Sequence, residues 1–379
     1  MGKQKIILVI GTRPDAVKMI PVLLALRESN VFETVLVSTG QHREILSQIL
    51  ESFLVIPDYD LNVMQPNQEL SYLTTTIISR FEAVIKEVIP SLVLVHGDTT
   101  TAFSSALTAF YNKIPVAHIE AGLRTHDKYS PFPEEVNRML LTSIASIHFA
   151  PTTGAKDNLI RERVEPSKIF VTGNTVVDAL AQILRNISVS QLPKNIPQLS
   201  NHEKFIIVTV HRRENLGSNL VNIFDAIRYV ANEHPDVLFV FPVHPNPKVK
   251  LKANELLMDI PNVKIIQPLP YSHFVYLMSK CYAILTDSCG IQEEAPNLGK
   301  PLLLLRDQSE RNESIQTKNT RLVGSKTNNI IRALEDILTS KTIYQEMTLP
   351  FDLFGDGSAA QRIRSVLEKV YAKEFNYVQ

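Results

Sequence analysis

Two doubly wound α/β domains in series are the architecture this sequence predicts, and three observations predict it. Short apolar runs rich in Val and Ile read as parallel strands buried on both faces. Longer amphipathic stretches lie between them, as crossover helices of βαβ units do. The pattern then begins again near residue 205, and a chain of 379 residues is long enough for two domains of about 100–200 residues each.

Taken in order, the first set of strands falls at residues 5–10, 34–38, 92–96, 116–119, 146–150 and 169–172, with helices at 16–28, 43–50, 70–88 and 101–112. The second set falls at 205–210, 238–243, 263–266, 282–286, 301–305 and 321–323, with helices such as 220–232 and 291–298. The helix-like stretch 175–184 is grouped with the second half. Residues 186–202, with Pro193, Pro197 and many polar side chains, read as a surface connection. A last helix, 359–372, follows the turn-like Gly355-Asp356-Gly357 and is expected to cross back. The expected division is an N-terminal domain over 1–172, a C-terminal domain over 173–358 and a returning helix over 359–379.

Composition narrows the function. Lys plus Arg and Asp plus Glu both number 39, so no excess of positive charge is available for a nucleic-acid backbone or an anionic membrane. The apolar runs, such as 6–10 and 302–305, fall far short of the ~18–20 residues that span a bilayer. The N-terminus runs straight into a strand pattern without the features of a secretory signal. Cys281 and Cys289 make neither a disulfide framework nor a four-ligand zinc site. No His pair has the His-Glu-x-x-His spacing, so no metal is expected, and a cytoplasmic location fits best.

Ligands of open parallel sheets bind beyond the carboxyl ends of the strands, which makes the residues there the candidates. Gly11-Thr12-Arg13-Pro14-Asp15 opens a helix, with Arg13 and Lys18 placed to meet a phosphate. Strand 92–96 delivers Asp98, and strand 116–119 delivers Glu120, followed shortly by Glu134 and Glu135. Carboxylates in a partly dry site can serve as acids or bases, although each alone is more often paired with an Arg, here Arg124 or Arg138. In the second half come His211, Arg212, His244, Asp287, Ser288 and Arg306. Ser288 with the Cys289 and Gly290 amides suits a diphosphate, and Glu294 suits the two hydroxyls of a ribose.

Together the runs Gly11-Thr12-Arg13-Pro14, Gln41-His42-Arg43-Glu44, His96-Gly97-Asp98-Thr99-Thr100-Thr101, His118-Ile119-Glu120-Ala121-Gly122-Leu123-Arg124-Thr125, Ser130-Pro131-Phe132-Pro133-Glu134-Glu135, His211-Arg212-Arg213-Glu214, Asp287-Ser288 and Gln292-Glu293-Glu294-Ala295-Pro296 strongly resemble the non-hydrolysing UDP-N-acetylglucosamine 2-epimerases. The match runs from Lys5 to about Arg362 in order and spacing. It implies a GT-B-like pair of Rossmann-like domains facing a central cleft, UDP-GlcNAc and UDP-ManNAc as substrates, no cofactor, usually a homodimer, and a role in supplying ManNAc units for surface polysaccharide. It assigns Asp98, Glu120, Glu134 and His211 to the chemistry. Arg13, Lys18, Ser288, Cys289, Gly290, Glu294 and Arg306 go to substrate binding, and Gln41, Gln68, Glu135, Arg212 and His244 to a site for a second, activating UDP-GlcNAc. Four departures stand out: Asp15 for the usual Glu, His126 for Gly, Cys289 for Gly and Asn312 for Pro. Asn67 also stands where many members carry Arg.

The implied reaction eliminates UDP to leave 2-acetamidoglucal, then adds UDP back with a proton on the other face of C2. Oxocarbenium character at C1 calls for a carboxylate, and two faces of C2 call for proton carriers on both sides. A GT-B glycosyltransferase, a hydrolysing epimerase and a sugar-nucleotide-binding regulator remain the alternatives.

Overall fold

A computed structural model describes residues 2–40, 43–65, 68–188, 192–193, 195–200, 202–307, 318–349 and 354–376. By contacts the chain falls into two compact units, Met1–Gln182 with Phe354–Gln379, and Ile183–Leu353.

In the first unit the strands are β1 Gln4–Ile10, β2 Phe32–Ser38, β3 Tyr59–Asp60, β4 Leu92–His96, β5 Val116–Ile119, β6 Ile147–Ala150 and β7 Ile169–Val171. They form one sheet in the order β3-β2-β1-β4-β5-β6-β7, and each pairing is parallel. Strands β4 and β5 are buried along their whole length, as runs such as Leu92-Val93-Leu94-Val95 require when both faces are covered. In the second unit, β8 Phe205–Thr209, β9 Leu238–Pro242, β10 Val263–Ile266, β11 Ala283–Thr286, β12 Leu302–Leu304 and β13 Thr320–Leu322 run in the order β10-β9-β8-β11-β12-β13, again parallel throughout. Two doubly wound, Rossmann-like domains are therefore present.

Local chemistry explains the element ends. Helix α1, Arg13–Arg27, starts three residues earlier than hydrophobic periodicity suggests, because Thr12 and Asp15 close a reciprocal capping box. Thr12 Oγ1 accepts from the Asp15 amide, and Asp15 Oδ2 accepts from the Thr12 amide at 3.1 Å. Strand β3 escapes sequence reading because two residues carry no period. The stretch read as a surface connection contains a short helix, Asn195–Ser200, which buries Ile196 and Leu199.

The division between units falls inside the helix Thr175–Asn186, later than residue 172. The start of that helix is tied into the first unit. The Asn174 amide donates to Phe354 O at 2.7 Å, and the Asp178 carboxylate accepts from the amides of Ala359 and Ala360 at 3.2 and 2.9 Å. The last helix, Ala359–Asn376, packs on α1. Ser29 Oγ donates to Glu368 at 2.7 Å, and the Tyr371 ring meets Phe32 edge-on at 5.4 Å.

Candidate active site

In each sheet the winding direction reverses once, between β1 and β4 in the first unit and between β8 and β11 in the second. Loops diverge at such a point and leave a crevice beyond the strand ends. The segments leaving these four strands are Gly11-Thr12-Arg13, Gly97-Asp98-Thr99, Val210-His211-Arg212 and Asp287-Ser288. Most of the predicted chemistry thus sits at or beside a topological switch point.

In the first unit Glu120 follows β5 with φ +64°, a left-handed backbone that costs a non-glycine residue about 1–2 kcal/mol. Strain of this kind persists only where surrounding contacts hold it. Lys18 of α1 forms an ion pair with Glu120 Oε2, and Asn174 Nδ2 donates to the same oxygen at 2.8 Å. His96, at the end of β4, places Nδ1 3.3 Å from Asp15 Oδ1 and Nε2 3.6 Å from Glu120 Oε2. Burial alone would drive the His96 ring neutral. The nearby Glu120 charge, with the hydrogen bond to Asp15, overrides it and raises the pKa to about 9.

Asp98 is the acid that meets Arg138. Arg138 Nε donates to Asp98 Oδ2 at 2.9 Å, and Nη2 lies 2.6 Å from the same oxygen. The helix Glu134–Ile144 carries Arg138, so the pair ties this helix to the end of β4. Glu134 is its first residue, half-buried. Glu135 accepts from Arg138 at 2.8 Å and from the amides of Thr125 and His126 at 3.1 and 2.9 Å. Burial works to raise its carboxyl, but these donors hold it below the ordinary range. Arg124 turns away to Glu162 and Thr142.

In the second unit Asp287 is fully buried and organises the end of β8. It accepts from the amides of His211 and Arg212 at 3.0 and 2.9 Å and from Asn215 Nδ2 at 3.0 Å. His211 Nδ1 lies 3.0 Å from Asp287 Oδ1, which fixes the ring with Nε2 directed elsewhere. Burial pushes the Asp287 carboxyl up, but His211 and the amides hold it below its ordinary value. His244 stacks on His211, with centroids 5.6 Å apart. Ser288 is the N-cap of the helix Cys289–Glu294; Gly290 is exposed on it, and the Cys289 side chain lies outside the described residues. Glu294 is buried and accepts from Tyr271 Oη at 2.8 Å. Arg306 Nε donates to Glu214 at 2.9 Å. Gln68 accepts from the Gln65 amide at 3.0 Å. Gln41, Asn67 and Asn312 lie outside the described residues.

Sequence reading passed over His96, Asn174, Tyr271 and the orienting role of Asp287. His96 sits in an apolar strand and looks like core; Asn174 and Tyr271 come near their partners only through folding. Among the described residues no group of three or more His, Cys, Asp and Glu side chains is arranged to hold a metal ion, and no helix is long and apolar enough to cross a membrane. A cavity of about 620 Å³ beside edge strand β10, lined by Leu199, Lys250, Met258 and Ile265 among others, contains none of the predicted site residues.

Comparison with known proteins identifies the family. The profile of the UDP-N-acetylglucosamine 2-epimerase family matches residues 24–368. A UDP-N-acetylglucosamine 2-epimerase of Yersinia pestis is 47% identical over 369 residues, covering 96% of this chain and 98% of the relative. The crystal structure of UDP-GlcNAc 2-epimerase from Neisseria meningitidis bound to UDP-GlcNAc superposes with a TM-score of 0.90 at 46% identity, covering 97% of this chain and 100% of that one. The Methanocaldococcus jannaschii enzyme in complex with UDP-GlcNAc and UDP gives 0.81 at 35% identity, covering 97% and 100%. A glycosyltransferase from Rickettsia africae, at 13% identity and a TM-score of 0.62, shares the fold alone. With the family profile spanning most of the chain and relatives well above 40% identity along nearly all of it, this chain belongs to the UDP-N-acetylglucosamine 2-epimerases, the isomerases that interconvert UDP-GlcNAc and UDP-ManNAc at C2.

Proposed function

We propose that this chain works by the non-hydrolysing route, eliminating UDP to 2-acetamidoglucal and adding it back, with Asp98, Glu120, Glu134 and His211 carrying the chemistry. The observation that supports this reading is the clustering of ionisable groups at the two switch points. The C2 hydrogen of the sugar is not acidic, so C1–O cleavage must lead. Developing positive charge at C1 is stabilised by a carboxylate that stays ionised, and Glu120, held by Lys18 and Asn174, suits that role. Asp98 and Glu134 then serve as the proton carriers for C2. His211, oriented by Asp287, assists the leaving and returning diphosphate oxygen. Arg13, Lys18, Ser288, Cys289, Gly290 and Arg306 contact the nucleotide sugar, and Glu294 the ribose.

The enzyme is proposed to act in the cytoplasm, to feed surface-polysaccharide synthesis, and to form a homodimer. The exposed Phe110, Tyr111, Met139 and Leu140 on two helices that pack together support an oligomer. A second UDP-GlcNAc is proposed to activate through Gln41, Gln68, Arg212 and His244. Glu135, 1% exposed and engaged by its own segment, would act there by shaping the Thr125-His126 turn.

Incubation with UDP-GlcNAc in D2O followed by NMR tests the route. Deuterium at C2 of both epimers with UDP retained in the product is expected. Free ManNAc would indicate the hydrolysing reaction, and unlabelled, unconverted substrate would refute turnover.

A further inference from the structure

Asp15, Lys18, His96 and Glu120 form a buried cluster of four ionisable side chains, all 9% exposed or less. Asp15 and Lys18 come from α1, His96 from β4 and Glu120 from the end of β5. Both nitrogens of the His96 ring face a carboxylate oxygen, at 3.3 Å from Asp15 and 3.6 Å from Glu120. A neutral imidazole carries a proton on one nitrogen only, so its other lone pair would point at a carboxylate oxygen. Two protons remove that conflict. Charge counting agrees. Within these four groups, a neutral His96 leaves two carboxylates against one ammonium, whereas a charged His96 balances them.

We propose that His96 is a positioning residue, a buried imidazolium that bridges Asp15 and Glu120 and, with Lys18, keeps Glu120 an anion in its left-handed perch. This rests on the reading of Glu120 as a group that acts ionised.

The neighbouring groups fit. His118, one strand over on β5, turns the other way, its Nε2 2.7 Å from Gly97 O, and burial holds it neutral with a pKa of about 3. Thr99 Oγ1 donates to Asp15 at 3.3 Å, and Asn174 donates to Glu120; both are neutral donors. The pKa near 9 for His96, reached against burial and against the repulsion of Lys18, is what a ring between two carboxylates should show. The cluster also accounts for the spacing of Gly11 to Lys18. Asp15 caps α1 and meets His96, and Lys18, one turn on, reaches Glu120.

Two measurements test the assignment. Long-range 1H–15N correlation spectra of the wild-type protein at pH 7.5 should show both ring nitrogens of His96 in the protonated state, and Glu120→Gln should return the ring to a neutral tautomer. A neutral ring in the wild type, or a ring whose charge ignores Glu120→Gln, overturns the proposal without reference to activity. His96→Gln should lower kcat about 10-fold or more with little change in KM. It should also move the acidic limb of the kcat profile upward by about one pH unit, because a carboxylate that loses a cationic neighbour is protonated more easily. A uniform loss of activity with the profile unmoved would mean a packing role only. If wild-type His96 is charged as described while Glu120→Gln stays fully active, the cluster stands and the catalytic reading of Glu120 fails.

Discussion

The ionisable groups of the first unit differ by partner, and that difference sets what each can be asked to do. Asp98 is held by an arginine, Glu120 by a lysine and an amide, while Glu134 opens a helix at whose first turn a negative charge is favoured. Asp98→Asn, Glu120→Gln and Glu134→Gln should each lower kcat by about 10²–10⁴ with the far-ultraviolet circular dichroism unchanged. Full activity in two of the three would end the carboxylate mechanism. Glu294 and Arg13 are proposed to bind the nucleotide. Each loses one or two charge-assisted hydrogen bonds on change to alanine, ~1.5–3 kcal/mol apiece, so UDP titration by calorimetry should weaken for both variants. Unchanged affinity in both would put the nucleotide elsewhere.

At the level of elements, the turn after β5 carries a run of unusual backbone. Gly122, at φ +92°, lies so close to helix Thr153–Arg161 that a Cβ would stand 2.2 Å from the carbonyl oxygen of Ala155. Backbone cannot yield as a side-chain tip does, so Gly122→Ala should destabilise by about 2–5 kcal/mol, left-handed strain and overpacking together. A urea midpoint within error of the wild type would show that the helix moves aside freely. His126 presents the opposite case. It is exposed and holds φ +64°, the conformation that a glycine adopts without steric cost. His126→Gly should leave stability unchanged or raise it by up to ~1 kcal/mol, since the backbone bond to Glu135 is kept. A clear loss would mean that the imidazole has a contact worth more than the strain.

For the whole molecule, buried histidines shape the pH dependence of stability. His118 and His148 are lowered by burial to about 3 and about 4, so below pH 6.5 the unfolded chain binds protons that the folded one refuses. Stability must then fall as pH drops from 6.5 toward 4, by up to ~1.4 kcal/mol per pH unit for each group. His96 acts in the other direction. Its pKa is raised to about 9, so its contribution is fully present below 6.5 and is lost as pH rises through 9. Urea midpoints measured from pH 5 to 9.5 should trace a dome near pH 6–7, and His118→Gln should flatten its acid side. An acid side as steep in that variant as in the wild type would remove His118 from the account. Chelation should matter little to activity, because the proposed steps move protons between carboxylates and C2 of the sugar, and the described residues offer no three-ligand group for a metal. Loss of activity in EDTA that returns with added Mg²⁺ would overturn this.

Much of the molecule is legible in its sequence. Runs such as Leu92-Val93-Leu94-Val95 are apolar on consecutive residues, which only a strand covered on both faces tolerates, and that reading carries directly to a parallel sheet and its switch points. Asp98, Glu120 and His211 were legible for the same reason, as polar residues at the ends of such runs. Pairing was not legible. Lys18 and Glu120 are separated by 102 positions, and Asn174 and Glu120 by 54, distances along the chain over which residue type carries no information about contact. Arg124 and Arg138 looked equally able to hold an acid, and only packing sent the first to Glu162 and the second to Asp98. His96 is the sharpest instance. In sequence it is one more buried position in an apolar strand, and it becomes a charged ring only because α1 and the end of β5 bring carboxylates to both of its nitrogens. Local sequence determines which faces must be buried; the state of a buried ionisable group is decided by which distant charges arrive beside it.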